Sequence, residues 1–214
     1  KLDLSVKTVT GKTLGECVKG AKNYNSDVIR TLDNPVYHEG SLAVLKGNLA
    51  PDGAVIKPAA MDPKFQKHRG PAIVANSYSE LKEIINDENY PITADHILVL
   101  RNAGPKGGPG MPEWGMIPMP KALLKQGHRD MIRLSDARMS GTSYGACILH
   151  VAPEAYIGGP LALIKNGDII EVDIPERKLN VDISENELSN RREKWKEPEP
   201  VSYTHLRAHE TDTD

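Results

Sequence analysis

The chain has 214 residues, of which 39% are hydrophobic and 26% are charged, a composition that excludes an intrinsically disordered protein. Its 27 Lys and Arg residues against 29 Asp and Glu residues give a formal net charge of -2, so no basic excess indicates nucleic acid or an anionic membrane as a partner. No apolar run approaches the ~18 residues that a membrane span needs. The two cysteines, Cys17 and Cys147, are too few for a disulfide scaffold, a structural zinc site or a self-contained iron–sulfur cluster, and we expect a reduced, cytoplasmic protein.

The predicted helices are marked by their capping residues. Thr13 and Glu16 have the spacing of a capping box, which predicts a helix from about residue 14 to 21. Apolar residues at helical spacing predict a second helix over 78–85 with Ser79 as its N-cap. Prolines near its start and a glycine after its end indicate a third helix over 118–127. A second capping box, Ser184 with Glu187, opens a helix that runs toward residue 195.

The predicted strands are short apolar or alternating runs that are bounded by glycine and proline. They cover residues 42–45, 54–56, 72–75, 96–100, 131–134, 147–151, 168–174 and 179–183. Many short strands with few helices predict an α+β fold, a β-barrel-like domain with peripheral helices.

The pattern divides the chain into three parts. Residues 1–45 are predicted to be a linker with one helix, residues 46–195 the barrel domain, and residues 196–214 a disordered tail without apolar periodicity. The sequence begins at Lys1 with neither an initiator methionine nor a signal-like segment, and we expect it to be a piece of a longer protein.

A glycine-rich loop follows the predicted strand at 96–100. Four glycines and two prolines occur within residues 104–110, which lets the backbone approach a ligand closely and lets exposed amides form an anion-binding nest. Composition alone favours a plain flexible loop. Glu113, the only acid of this stretch, is a candidate ligand for a hard cation such as Mg²⁺, and an acid at a helix N-terminus is an equally good interpretation. Trp114 and Met116 are expected to pack in the core.

A second candidate segment surrounds Ser140. It lies between a strand and the next element, with Gly141 and Gly145 permitting a tight turn, so its hydroxyl can be exposed and supported as an alkoxide by helical amides. Spacing alone favours the interpretation of Ser140 as a helix N-cap. A third segment contains His150, which we expect to be a satisfied core or supporting histidine because no other histidine lies at metal-binding spacing around it.

Four ordered motifs in this region resemble the C-terminal region of the dihydroxy-acid dehydratase and phosphogluconate dehydratase family. They are Gly-Pro-Lys-Gly-Gly-Pro-Gly-Met-Pro-Glu at 104–113, Ser-Asp-Ala-Arg-Met-Ser-Gly-Thr-Ser-Tyr-Gly at 135–145, His-Val-Ala-Pro-Glu at 150–154, and Gly-Gly-Pro-Leu-Ala-Leu at 158–163 with Asn-Gly-Asp at 166–168. The resemblance extends from about residue 8 to 195. The Met-Pro-Glu-Trp and Asp-Ala-Arg-Met-Ser-Gly-Thr-Ser forms look most like the sugar-acid branch, the arabinonate and xylonate dehydratases, whereas the branched-chain amino-acid branch tends to carry Asp-Gly-Arg-Phe-Ser-Gly.

The resemblance implies a hydro-lyase that converts a 2,3-dihydroxy carboxylate into a 2-keto-3-deoxy acid. In that family an iron–sulfur cluster, expected to be of the 2Fe–2S type, acts as a Lewis acid on the leaving 3-hydroxyl, and Mg²⁺ holds the carboxylate and the 2-hydroxyl. By matching positions, Ser140 would be the base that takes the C2 proton, Thr142 a substrate or oxyanion partner, and Glu113 a Mg²⁺ ligand. A serine can act in this way only if its pKa falls greatly, which needs a helix N-terminus and nearby metal charge.

The resemblance also implies that this chain is incomplete as an enzyme. The cluster cysteines, the other Mg²⁺ carboxylates and a modified lysine belong to an N-terminal domain that would precede Lys1, so we expect the isolated fragment to be inactive. Its expected partners are a sugar-acid substrate, that N-terminal domain and further copies of the full-length protein, with no nucleic acid and no membrane. From residue 200 onward the tail looks unrelated to the family and is interpreted as non-native sequence. Two alternatives stay open, a dihydroxy-acid dehydratase of branched-chain amino-acid biosynthesis and a non-catalytic barrel module.

Overall fold

The computed structural model describes residues 2–198, which form two compact units divided between Glu39 and Gly40. The first strand of the second unit begins at Ala43, and the predicted domain boundary at residues 45 and 46 stays a prediction. The predicted disordered and non-native tail falls outside the described residues, except for residues 196–198.

The first unit contains one short helix, α1 (Leu14–Val18), which begins at the predicted capping box. The Thr13 hydroxyl accepts a hydrogen bond from the Glu16 amide at 3.2 Å, and the Glu16 carboxylate accepts one from the Thr13 amide at 2.7 Å. The helix ends three residues earlier than expected, because Lys19 has a non-helical ψ of 121° and Gly20 a positive φ of 79°.

The second unit is built on an eight-stranded sheet. Its strands are β1 (Ala43–Leu45), β2 (Gly53–Ile56), β3 (Lys67–Ala75), β4 (Ile97–Leu100), β5 (Arg133–Ser135), β6 (Cys147–Ala152), β7 (Ile169–Asp173) and β8 (Lys178–Val181). They lie in the order β1-β2-β6-β5-β4-β3-β7-β8. The four central strands, β6, β5, β4 and β3, are parallel, and the remaining pairs are antiparallel.

The sheet curls until its two edges meet. Lys46, directly after β1, donates its amide to the Arg177 carbonyl at 2.8 Å and accepts from the Leu179 amide at 2.9 Å. The Asn48 side chain continues this pairing as a strand backbone would, donating to the Val181 carbonyl at 2.9 Å and accepting from the Val181 amide at 2.8 Å. The predicted α+β fold with a barrel-like sheet and peripheral helices is confirmed.

The core fills the barrel and the space beneath its helices. All four residues of β4 have no exposed surface, as expected for a parallel strand that is covered on both faces. In β7 and β8 buried residues alternate with partly or fully exposed ones, which is the pattern of antiparallel strands at the periphery of a sheet.

The peripheral helices differ in detail from the predictions. Helix α2 (Tyr78–Asn86) is capped by Ser77, whose hydroxyl accepts from the Glu80 amide at 3.2 Å, so the prediction of Ser79 as the N-cap is wrong by two residues. Helix α3 (Lys121–Lys125) is shorter than the predicted 118–127. Pro120 disfavours helical angles in the residue before it, which delays the start of the helix, and Gly127 follows its end with a positive φ of 87°.

The last helix, α4 (Glu185–Lys194), begins at the predicted cap, Ser184. Its Arg191 donates one guanidinium hydrogen bond to the Asp168 carboxylate at 3.0 Å and another to the Leu163 carbonyl at 3.0 Å, which fastens the helix to the sheet. Among residues 2–198, no helix has both the length and the apolar character that crossing a membrane requires.

Candidate active site

The parallel strands bring the candidate segments together at one edge of the sheet. Because β4, β5 and β6 are parallel neighbours, the segments that follow them leave from the same edge, and this edge is where open α/β sheets bind their ligands. The glycine-rich loop follows β4, the segment with Ser140 follows β5, and the turn with Glu154 follows β6.

The glycine-rich loop is held in place by Glu154. This buried carboxylate accepts hydrogen bonds from the Lys106 amide at 3.0 Å and from the Gly107 amide at 3.2 Å. A Cβ atom at Gly104 would lie 2.3 Å from the Glu154 carboxylate, so a side chain cannot be placed there. The loop is therefore not the plain flexible loop that composition favoured. Two amides of the predicted anion-binding nest are occupied by an anion that the protein itself supplies.

Asp136 connects all three segments. Its carboxylate, 1% exposed, accepts from the Ala103 amide of the glycine-rich loop at 2.9 Å and from the Ala155 amide after β6 at 2.9 Å. Burial raises the pKa of Asp136 above its usual range, although these backbone hydrogen bonds oppose the change. Asp136 and Glu154 were not among the predicted site residues. For Asp136 the signal in the sequence is an acid directly after a buried strand, where a buried carboxylate needs hydrogen-bond donors. Glu154 stands two residues after the end of β6.

Ser140 lies half-way along the segment that returns from the end of β5 to the start of β6. Its hydroxyl is 3.0 Å from the Thr142 hydroxyl and 3.4 Å from the Thr142 amide, so the structure brings these two predicted residues together. Residues 136–146 contain no helix. Both interpretations that placed a helix after Ser140, as an N-cap or as a serine supported by helical amides, are therefore wrong. The glycine-rich sequence at 141–145 instead forms turns.

The Ser140 segment lines a cleft of about 190 Å³ beside β2 and β6. Lys57, Cys147 and His150 also line this cleft. His150 is exposed and has a positive φ of 53°, so the expectation of a core histidine is wrong: the irregular pairing of β2 with β6 turns its side chain outward. Burial raises the pKa of the Cys147 thiol to about 11, which keeps it protonated at neutral pH.

Glu113 is exposed on the loop that adjoins the Ser140 segment. Its carboxylate accepts a hydrogen bond from the Arg138 guanidinium at 2.8 Å, and Arg138 also donates to the Met111 carbonyl at 2.5 Å. Arg138 stands two residues before Ser140, so it ties the segment of the predicted base to the loop of the predicted metal ligand. No helix begins at residues 111–116, which removes the interpretation of Glu113 as a helix N-terminal acid.

The residues expected to hold cofactors do not form a complete site by themselves. Glu113 offers one hard oxygen donor of the kind that Mg²⁺ prefers, but that donor is paired with Arg138. Among the residues that the structure describes, no group of three or more His, Cys, Asp and Glu side chains is placed to hold a metal ion. Cys17 and Cys147 are free, the first exposed and the second buried.

Trp114 packs against the core from the same loop. Its indole ring stacks on the Tyr78 ring with centroids 5.1 Å apart, and both rings pack partly against the core, as expected for Trp114. Trp114 and Tyr78 also line a cavity of about 530 Å³ at the carboxyl ends of β3 and β4.

Comparison with known proteins identifies the family. A family model described as dihydroxy-acid/6-phosphogluconate dehydratase C-terminal matches residues 27–213. The chain belongs to this dehydratase family. The matched range runs through most of the tail, and the non-native origin of the tail stays a prediction.

The relatives of this dehydratase domain carry different substrate names. A 6-deoxy-6-sulfo-D-gluconate dehydratase from Pseudomonas putida is 50% identical over 194 residues, 89% of this chain and 34% of the relative. An L-arabonate dehydratase from Azospirillum brasilense is 52% identical over 184 residues, 86% of this chain and 32% of the relative. A dihydroxy-acid dehydratase from Methanothrix thermoacetophila is 46% identical over 206 residues, 94% of this chain and 37% of the relative. The chain thus spans about a third of the length of the curated relatives that it matches.

Proposed function

We propose that this dehydratase domain is the C-terminal part of a hydro-lyase that converts a sugar acid, an aldonate, into a 2-keto-3-deoxy acid, with Ser140 as the base. The observation that carries the proposal is the Ser140–Thr142 hydroxyl pair in a cleft, on a segment that Arg138 ties to the loop of Glu113. Relatives named for sugar acids are 50% and 52% identical to the chain, and the dihydroxy-acid dehydratase is 46% identical, which favours the sugar-acid branch.

The proposed reaction removes one molecule of water. The Ser140 oxygen, as an alkoxide, takes the proton from C2, and the electron pair of that bond forms the double bond to C3 as the bond between C3 and its hydroxyl breaks. The departing hydroxide takes the proton from Ser140 and leaves as water, which restores the alkoxide, and the resulting enol tautomerises to the 2-keto acid. Because no helix follows Ser140, its anion depends on other donors. The Thr142 hydroxyl at 3.0 Å and the Thr142 amide at 3.4 Å are donors within hydrogen-bond distance.

The proposal includes two cofactors. Mg²⁺, with Glu113 as one ligand, would neutralise the substrate carboxylate. A 2Fe–2S cluster would activate the leaving hydroxyl. We place the cluster ligands and the remaining Mg²⁺ ligands in the N-terminal part of the full-length enzyme, because no group of three or more His, Cys, Asp and Glu side chains is placed to hold a metal ion among the described residues. The full-length enzyme is proposed to form homo-oligomers in the cytoplasm, and the isolated domain to be inactive.

The test is dehydration by the full-length parent enzyme. General base catalysis contributes about 10²- to 10⁴-fold, so Ser140→Ala should lower kcat by about that factor. Ser143→Ala, in the same segment, is the matched control and should retain activity. Equal turnover by Ser140→Ala and the parent would remove the assigned base.

A substrate panel separates the two dehydratase alternatives. The panel contains L-arabinonate, 6-deoxy-6-sulfo-D-gluconate and a branched-chain 2,3-dihydroxy acid. A higher kcat/KM for either sugar acid supports the proposal, and a preference for the branched-chain acid favours the dihydroxy-acid dehydratase. A full-length parent that dehydrates none of them favours a non-catalytic module.

A further inference from the structure

Lys57, directly after β2, binds the backbone of the Ser140 segment. Its ammonium donates one hydrogen bond to the Gly141 carbonyl at 2.6 Å and a second to the Ser143 carbonyl at 3.1 Å. These two carbonyls flank Thr142, the residue whose hydroxyl contacts Ser140. Lys57 is half-buried and lines the same cleft as Ser140. An ammonium therefore holds the turn that carries both predicted hydroxyls.

The positive charge of Lys57 is not neutralised by an ion pair within residues 2–198. The other cation of the segment, Arg138, is already paired with Glu113. The remaining titratable groups of the cleft are Cys147 and His150 on β6, and the first is kept protonated by burial. Two carbonyls accept two of the three ammonium hydrogens, and carbonyl dipoles do not cancel a full charge. The described residues that line the cleft beside Ser140 thus include the ammonium of Lys57 and no carboxylate.

Resting on the proposed function, we propose that Lys57 is a positioning residue that fixes the Ser140–Thr142 turn and supplies the positive charge that favours deprotonation of Ser140. It takes the place of the helix N-terminus that the sequence suggested, because a cation close to an oxyanion stabilises it as a helix dipole would. Lys57 acts through the Ser140 segment.

The charge can be measured with a thiol at position 140, without substrate or cofactor. Ser140→Cys places a titratable group there, and its alkylation by iodoacetamide follows the thiolate fraction. Site-localised mass spectrometry separates this thiol from those of Cys17 and Cys147. Exposed Cys17 serves as an internal reference, and buried Cys147 should react little.

Replacement of Lys57 should slow alkylation at position 140. In the Ser140→Cys chain, Lys57→Met removes the charge and both hydrogen bonds, and we expect alkylation at pH 7 to be about three- to tenfold slower. Lys57→Gln removes the charge but keeps an amide donor, and should slow alkylation similarly. Lys57→Arg should keep most of the rate. Lys121→Met, which removes an exposed lysine of α3, is the matched control.

Each outcome decides the proposal. Slower alkylation in Lys57→Met and Lys57→Gln, with an unchanged Cys17 rate, supports it. If Lys57→Met fails to fold, as judged by its thermal transition, the Lys57→Gln and Lys57→Arg pair still compares neutral and charged side chains. The proposal would be overturned if the thiol at position 140 of the folded Lys57→Gln chain were alkylated as fast as in the Lys121→Met control.

The result is separate from that of the dehydration assay. If replacement of Lys57 slows alkylation at position 140 but Ser140→Ala leaves turnover unchanged, the electrostatic effect of Lys57 is retained. The assignment of Ser140 as the base is then lost. In the full-length enzyme, Lys57→Gln should lower kcat more than it raises KM and move the rise of the pH–rate profile to higher pH, with recovery in Lys57→Arg. A merely structural lysine would leave the position of that profile unchanged.

Discussion

The carboxylate of Asp136 offers a direct test of how the candidate site is assembled. Asp136→Ala removes the acceptor for the Ala103 and Ala155 amides, which belong to two different segments and are both buried with it. A hydrogen bond to a charged group contributes about 1.5–3 kcal/mol, so the two bonds together amount to about 3–6 kcal/mol. Loss of the buried charge offsets part of this cost, because burial raises the pKa of Asp136 and thus disfavours its ionised form.

We therefore expect Asp136→Ala to lower the free energy of unfolding by about 2–4 kcal/mol. For a domain of this size, that corresponds to a fall in Tm on the order of 10 °C. Asp136→Asn should cost about half as much, because its amide retains one acceptor oxygen and turns an NH₂ group toward the other amide.

Urea and thermal denaturation followed by circular dichroism measure these effects, with the exposed residue change Asp52→Ala as the control. Hydrogen exchange should also become faster at the Ala103 and Ala155 amides, because both lose their acceptor. An unfolding free energy of Asp136→Ala within about 0.5 kcal/mol of the control would refute the assignment of Asp136 as the connecting group.

Two further predictions concern the frame around the site. Gly145 has a φ of +96°, and a Cβ atom there would lie 1.9 Å from the Arg133 guanidinium. Gly145→Ala should therefore lower the free energy of unfolding, measured by urea denaturation, by more than about 3 kcal/mol. Gly127 has a φ of +87° with open space around it, so Gly127→Ala should lower the free energy of unfolding by about 1–2 kcal/mol. Equal decreases in the two variants would contradict the predicted clash at Gly145. Burial alone would raise the pKa of Asp168, but hydrogen bonds from Arg191 and the Lys165 amide hold it below its usual range. The stability that Asp168 contributes is therefore present above about pH 4 and is lost as the pH falls below it. Asp168→Asn should lower the free energy of unfolding by about 1.5–3 kcal/mol at pH 7 and by less in acid. A difference in Tm that does not change with pH would contradict this.

The local elements of the fold could be predicted from the sequence because their signals are local. The capping box at Thr13 and the cap at Ser184 lie within three residues of the amides they bind, and each marks the observed start of its helix. Closure of the barrel could not be predicted in this way. Asn48 bonds to Val181 across a separation of 133 residues, and an asparagine in a polar turn has no sequence feature that names so distant a partner.

The difference between local and long-range contacts also explains the wrong predictions at the candidate site. The spacing around Ser140 suggested a helix N-cap, whereas its neighbouring glycines suggested a tight turn. Parallel neighbours in a sheet need a connection that returns to the starting edge, and residues 136–146 make that return with turns alone. The acids that organise the loops were missed because Glu154 binds amides 47 and 48 residues away.

The contact between Lys57 and the Ser140 segment follows from the strand order. Lys57 and Gly141 are separated by 84 residues and three intervening strands, so no spacing rule connects them. In the sheet, β2 lies antiparallel to β6, with Val55 opposite Leu149, so the end of β2 comes beside the start of β6. The segment that leads into β6 must then pass the first side chain after β2, which is Lys57. A charged residue at that position affects the predicted base only in a barrel where β2 and β6 are neighbours. The electrostatics of the candidate site is therefore a property of the topology.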